Sequence, residues 1–289
     1  MIAVAWRTRR AAWVRRLRGN AGALIGLGLL LLLAAVAAFG PRLAPADPYR
    51  IQVVDKFLPP TLAHPFGTDE LGRDLLSRTV VGARISVRVA VTVLAIAGST
   101  GVVLGTISGY KGGVVDEVVM RAADVFFAFP SFLLAMAIVA ALGPGITNAI
   151  LAIGIAWWPR YARLMRGQIL SLRETLYVES ARALGAGDAR VMFRHILPNC
   201  LAALFVQATM DAGLAILTTA SLSFVGLGAT PPMAEWGSMV AQGRTFILTA
   251  WWVPIFPGTA IALTVAAFTY LGDGLRDLLD PQLRSRGGV

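Results

Sequence analysis

This sequence is poor in charge. Asp, Glu, Lys and Arg make up 15% of its 289 residues against 56% hydrophobic ones, and the mean hydropathy is +0.69. That balance excludes an ordinary soluble domain and points to an integral membrane protein. A single cysteine, Cys200, excludes an internal disulfide, and the two histidines, His64 and His195, form no Cys/His cluster with zinc spacing. No G-x-x-x-x-G-K-[ST] phosphate loop is present, Lys111-Gly112-Gly113 being a turn. Neither G-x-S-x-G nor H-E-x-x-H occurs. Lysine is reduced to Lys56 and Lys111, so the net charge of +10 is carried by arginine. The arginines cluster beside apolar runs, as the positive-inside rule expects of a membrane protein, and this distribution argues against nucleic acid as a partner.

What is present reads as alternating apolar runs and basic connectors. Residues 1–20 are a basic segment with Trp6 and Trp13 placed for the headgroup layer. Residues 21–40 are uncharged and longer than a signal-peptide core, so they predict a retained first span closed by Pro41. A polar extracytoplasmic loop over 41–85 follows. Its second half predicts an amphipathic helix from Thr68, with Asp69/Arg73 and Asp74/Arg78 as surface i,i+4 ion pairs and Leu71, Leu75 and Leu76 on the apolar side. Asp69, Glu70 and Asp74 are read as ion-pair members, not as a metal site. Residues 86–272 predict a core of five further spans. The uncharged stretch 125–159 is too long for one helix and is cut by Gly143-Pro144-Gly145; Pro130 kinks or starts its first half. Residues 273–289 form the tail.

Within that core lies a polar stretch, residues 177–199, YVESARALGAGDARVMFRHILPN. It reads as helix, break, helix. Val178, Ala181 and Leu184 share one face, Gly185-Ala186-Gly187 supplies the left-handed break, and Asp188 is placed to cap a second helix that runs to Pro198. Such a knob suits mechanical contact with another protein. Six spans put both termini and this knob on one side, which carries 18 of the 26 Lys/Arg, so that side is expected to be the cytoplasm.

The knob resembles the EAA loop of ABC-transporter permeases: Glu179-Ser180-Ala181, then Gly185, and later Ile196-Leu197-Pro198. Ser180 stands where alanine is usual, and the isoleucine directly precedes Leu-Pro. HPFGTDELGRDLLSR at 64–78, HILPN at 195–199, SLSFVGLG at 221–228 followed by PP and WG, and LGDGLRDLLDP at 271–281 resemble the dipeptide/oligopeptide/nickel importer group. The resemblance covers about residues 24–284.

It implies an all-α integral membrane protein with six transmembrane helices, the type I ABC importer permease fold with a cytoplasmic coupling helix. The implied residues for coupling to the ATPase are Glu179, Ser180, Ala181, Leu184, Gly185 and Asp188. The implied role is half of a translocation pathway for dipeptides, oligopeptides or a related small solute, with nickel chelates, opines and haem as alternative cargoes. The chain itself is not expected to be an enzyme or to hold a cofactor or metal; ATP and Mg are bound by partner subunits. The implied partners are a homologous second permease, two ATP-binding subunits, an extracytoplasmic substrate-binding protein and membrane lipid. The implied location is the inner membrane, multi-pass.

An ion-gradient transporter would show carboxylates within its spans. Only Asp211 lies deep in one. Gln207, Asp211 and Thr218, at spacings of four and seven, share one helical face and are candidate pathway residues, read from the residues and not from the family. An intramembrane hydrolase would need a base near Ser221 or Ser223, and their span has no histidine.

Overall fold

The structure, a computed structural model, describes residues 20–279. The basic segment expected over 1–20, apart from Asn20, and the end of the tail lie outside the described residues. Regular structure in the described part is helical, with one isolated β-bridge between Thr68 and Asp74. The helices are α1 (Ala21–Leu43), α2 (Leu75–Lys111), α3 (Gly113–Phe127), α4 (Ser131–Leu142), α5 (Ile146–Leu172), α6 (Leu176–Ala183), α7 (Asp188–Phe224), α8 (Trp236–Gly243) and α9 (Trp252–Leu279).

Among the described residues, α1, α2, α7 and α9 are each long and apolar enough to cross a membrane. The α3–α4 pair counts as a fifth only if taken as one broken span, bent by 87°. The sequence led to an expectation of six. The difference has two physical causes. Pro130 has no N–H to continue a helix and disfavours helical geometry before it, so the third hydrophobic stretch breaks there and Pro130 becomes the residue that starts α4. The 12 residues of α4 are about 18 Å long, against about 30 Å of bilayer hydrocarbon. Helix α5 is apolar only up to Trp158, since Pro159, Arg160, Arg163 and Arg166 occupy its second half.

The chain divides into two units. The first contains residues up to 90, 144–146 and from 209 onward. Asn20 starts α1 by accepting the Ala23 amide at 3.0 Å. Helix α1 runs antiparallel to α9 with backbones nearly touching: a Cβ on Gly26 would sit 2.7 Å from the Leu271 nitrogen, and one on Gly274 would sit 2.3 Å from the Ala23 Cβ. Small residues are what allow membrane helices this approach. Ala37, Leu75, Ala83, Trp236, Met239, Trp252 and Ile261 form the core of this unit. The Trp236 indole fills the space left by Gly82 and donates to the Thr79 carbonyl at 2.8 Å.

The loop after α1 corrects the expectation of a helix from Thr68. Gly67 and Gly72 both have φ near +70°, and Asp69 Oδ1 accepts the amides of Leu71 and Arg73 at 3.0 and 2.9 Å, which closes a turn. The helix starts only at Leu75, capped by Asp74, whose Oδ2 accepts from the Ser77 amide and hydroxyl. The ion pairs are not on the surface either. Asp69, Arg73, Asp74 and Arg78 are all buried. Asp69 pairs with Arg73 at 2.7 Å as spaced, but Asp74 faces His64, and Arg78 turns to Asp69 at 3.5 Å and to the Pro48 carbonyl at 3.0 Å.

The second unit contains residues 91–143 and 147–208. Here α2 and α5 lie parallel. Gly101, Gly105 and Gly109 form a stripe on α2 that meets Tyr161, Ala162 and Arg166 in turn; a Cβ on Gly105 would come within 2.3 Å of the Ala162 carbonyl oxygen. Helix α3 packs on both through Ala123, Met120 and Phe126, the last edge-on to Trp158 at 5.5 Å.

Candidate functional site

Helix α6 and the start of α7 make the elbow read from residues 177–199. Helix α5 ends at Leu172, and Thr175 starts α6 by accepting the Val178 and Glu179 amides on its carbonyl. The buried face of α6, Val178 and Ala181, lies towards Met165, Ile169, Val191, Ile196 and Cys200, a small core beneath the elbow. Gly185 then takes φ +84°. Its amide bonds the Arg182 carbonyl at 2.9 Å, and the Ala186 amide bonds the Ala181 carbonyl at 3.0 Å. This is the paired Schellman closure, which needs a residue without a Cβ penalty at that position.

Two details differ from the sequence expectation. Asp188 does not cap the second helix, whose N-cap is Gly187; its carboxylate instead accepts the Tyr110 hydroxyl at 2.6 Å. Pro198 does not end that helix. Residues 191–196 form a π-helical turn ahead of it, and α7 continues to Phe224. Proline removes one amide and crowds the carbonyl four residues back, and the wider turn accommodates both.

The outer face of the elbow is apolar and charged together. Leu176 is 80% and Leu184 89% exposed, with Tyr177, Phe193, Glu179, Ser180 and Arg182 beside them at the surface. Gly185 and Asp188 are also exposed. Ala181, expected to meet a partner, is only 9% exposed and belongs to the inner face. Large side chains left in water on a rigid mount are the signature of an interaction surface.

Residues 101–285 match the family described as binding-protein-dependent transport system inner membrane component, and residues 8–60 match the N-terminal transmembrane domain of oligopeptide transport permease C. The chain belongs to the first family. This permease is 47% identical over 272 residues to a probable D,D-dipeptide transport system permease protein of Escherichia coli (strain K12), covering 94% of this chain and 91% of that one. It is 45% identical over 277 residues to a glutathione transport system permease protein of Pectobacterium atrosepticum, covering 96% and 92%. A dipeptide transport system permease protein of Alkalihalophilus pseudofirmus is 44% identical over 274 residues, covering 94% and 89%.

As a membrane component of a transport system, the permease is not itself a catalyst. Of its candidate pathway residues, Asp211 is 3% exposed, while Gln207 and Thr218 are half-buried on the same face of α7. The Thr218 hydroxyl donates to the Leu214 carbonyl at 2.7 Å. Among the described residues no group of three or more His, Cys, Asp and Glu side chains is arranged to hold a metal ion. Sequence reasoning missed a further buried carboxylate, Glu235, on the loop before α8. Burial pushes its pKa up, while the Gly237 and Ser238 amides that it accepts at 2.9 and 2.8 Å oppose the rise. Glu235-x-x-Ser238 reverses the order of a capping box and Glu is not a usual N-cap residue, so the sequence carried no clear signal for it.

Proposed function

We propose that this permease forms half of the translocation pathway of an ATP-driven importer whose cargo is a dipeptide, an oligopeptide or a close relative of these. Its similarity to permeases named for D,D-dipeptide, glutathione and dipeptide transport supports the cargo class. The observation that carries the coupling role is the elbow, a knob closed at Gly185 that presents Leu176 and Leu184 to solvent. In this reading it docks on an ATP-binding partner. Two such partners hold ATP and Mg, a homologous second permease completes the pathway, and an extracytoplasmic binding protein delivers cargo. Closure of the ATPases moves the docked elbow, and the pathway between the two permeases changes the side to which it opens. The elbow must bind the two ATPase states with different affinity for anything to be transmitted.

Gly185→Asp tests this. The backbone there is left-handed, so any Cβ costs about 1 kcal/mol, yet nothing lies within 4 Å of the position and the fold can absorb it. The variant should insert in the membrane but lose retention of the ATPase subunits and binding-protein-stimulated ATP hydrolysis. Normal stimulation would remove the elbow from the coupling role. In the same reading Gln207, Asp211 and Thr218 line the pathway, with Asp211 attracting a cationic group of the cargo.

A further inference from the structure

The elbow is tied to the rest of its unit by a chain of polar contacts at the end of α2. The Tyr110 hydroxyl, in the last turn of α2, donates to Asp188 Oδ1 at 2.6 Å. The Arg182 guanidinium, on the exposed side of α6, lies over the Tyr110 ring at 5.8 Å. One residue back, the Gly109 carbonyl accepts from Arg173 Nη1 at 3.4 Å. Two residues back, the Ser108 hydroxyl donates to Asp116 Oδ1 at the start of α3. Asp116 in turn is gripped from α5 by Arg166, whose Nε and Nη2 each donate to one carboxylate oxygen at 2.5 Å. A bidentate guanidinium–carboxylate pair fixes orientation as well as distance.

The contacts therefore run from the elbow through Tyr110 and Ser108 of α2 to Asp116 of α3 and Arg166 of α5. The apolar side of Tyr110 packs on the small core under the elbow, and Gly109 abuts α5 at Arg166 and Ile169, so the end of α2 has little freedom to slip between the two. A displacement of the elbow that kept the Asp188–Tyr110 bond would have to carry the last turn of α2 with it. It would then disturb, or be resisted by, the Asp116–Arg166 pair. We propose that Tyr110 is a positioning residue for coupling: its hydrogen bond to Asp188 transmits movement of the elbow to α2, and Ser108, Asp116 and Arg166 distribute it to α3 and α5. This rests on the elbow being the docking site for the ATPase.

The test uses the full reconstituted complex and compares import per ATP hydrolysed. Tyr110→Phe removes one hydroxyl and leaves the packing, so the variant should retain its ATPase subunits and hydrolyse ATP when loaded binding protein is added. Its import per ATP should fall by about fivefold or more, the lower end of measured coupling factors. Asp188→Ala should give the same fall, the double variant should be no worse than either single, and Asp188→Asn, which keeps an acceptor for the hydroxyl, should restore most of the ratio. A wild-type ratio in Tyr110→Phe, a parallel loss of hydrolysis and import, or additive losses in the double variant would each overturn the relay. Gly185→Asp separates the two ideas. If it loses ATPase retention while Tyr110→Phe keeps the wild-type ratio, only the relay fails; if it docks and stimulates normally, the elbow reading fails.

Discussion

Single residues show where sequence spacing carries chemistry and where it cannot. The Asp69–Arg73 pair was legible from its i,i+4 spacing, but its place was not: spacing says which side chains can meet, never whether water is excluded from them. Arg78 is 1% exposed, and two of its nitrogens have no hydrogen-bond acceptor among the described residues. It holds the Pro48 carbonyl against the turn that Asp69 closes. Such buried charges are weak contributors to stability as pairs, yet removing one partner costs about 3–5 kcal/mol because the other stays buried. Asp211 poses the opposite problem, since its position was legible and its role was not. A charged aspartate facing lipid costs about 2.5–3.5 kcal/mol on insertion scales, and its burial within the subunit takes it off that face. Asp211→Asn keeps the shape and deletes the charge. If Asp211 attracts a cationic group with about 1–2 kcal/mol, import of a peptide with a free amino terminus should drop about 5–30-fold with assembly intact. Unchanged import in an assembled complex would remove Asp211 from the pathway.

At the scale of elements, glycine and proline explain both the agreement and the surprises. The Gly185 break was legible because helix closure with a left-handed residue is a local event, settled within six residues. The continuation of α7 through Pro198 was not, because it depends on a π-helical turn held by the core under the elbow. Nor was the stripe Gly101, Gly105, Gly109 on α2. Its four-residue spacing is visible in the sequence, but only the neighbouring α5 shows that the spacing is for close approach. Gly98, on the same helix, has nothing within 4 Å of its Cβ position and serves as the control. Gly105→Val must push the α5 backbone aside, and overpacking of this kind costs about 1–3 kcal/mol or more. The purified complex should melt several degrees lower in Gly105→Val and unchanged in Gly98→Val. Equal melting temperatures would mean that α2 and α5 do not pack through this stripe.

For the whole molecule the question is how many times the chain crosses the membrane, and helix directions constrain it more tightly than hydropathy. Asn20 bonds Asp277 at 3.2 Å, and α1 runs antiparallel to α9, so the start of the first long apolar helix lies beside the end of the last. Helix α2 runs parallel to α5, since Ile96 meets Gly154 and Gly109 meets Arg166, so the chain between them must return across the same depth. Helices of 15 and 12 residues bent by 87° span about 29 Å end to end, close to the hydrocarbon thickness of about 30 Å. The side expected to hold the elbow and both termini carries 18 of the 26 Lys/Arg, so the elbow is predicted to face the cytoplasm. Two loops of the first unit pack on one another, with Trp252 donating to the Thr68 carbonyl at 3.2 Å and Phe57 against Phe246 at 4.6 Å. Each loop exposes a leucine completely, Leu62 in one and Leu248 in the other. In a Cys200→Ala background, Leu62→Cys and Leu248→Cys should react with an impermeant thiol reagent added to intact cells whose outer barrier has been opened. Ala189→Cys, exposed on the elbow, should react only after the membrane itself is permeabilised. The reverse pattern would turn the permease over and take the elbow away from the compartment where ATP is found.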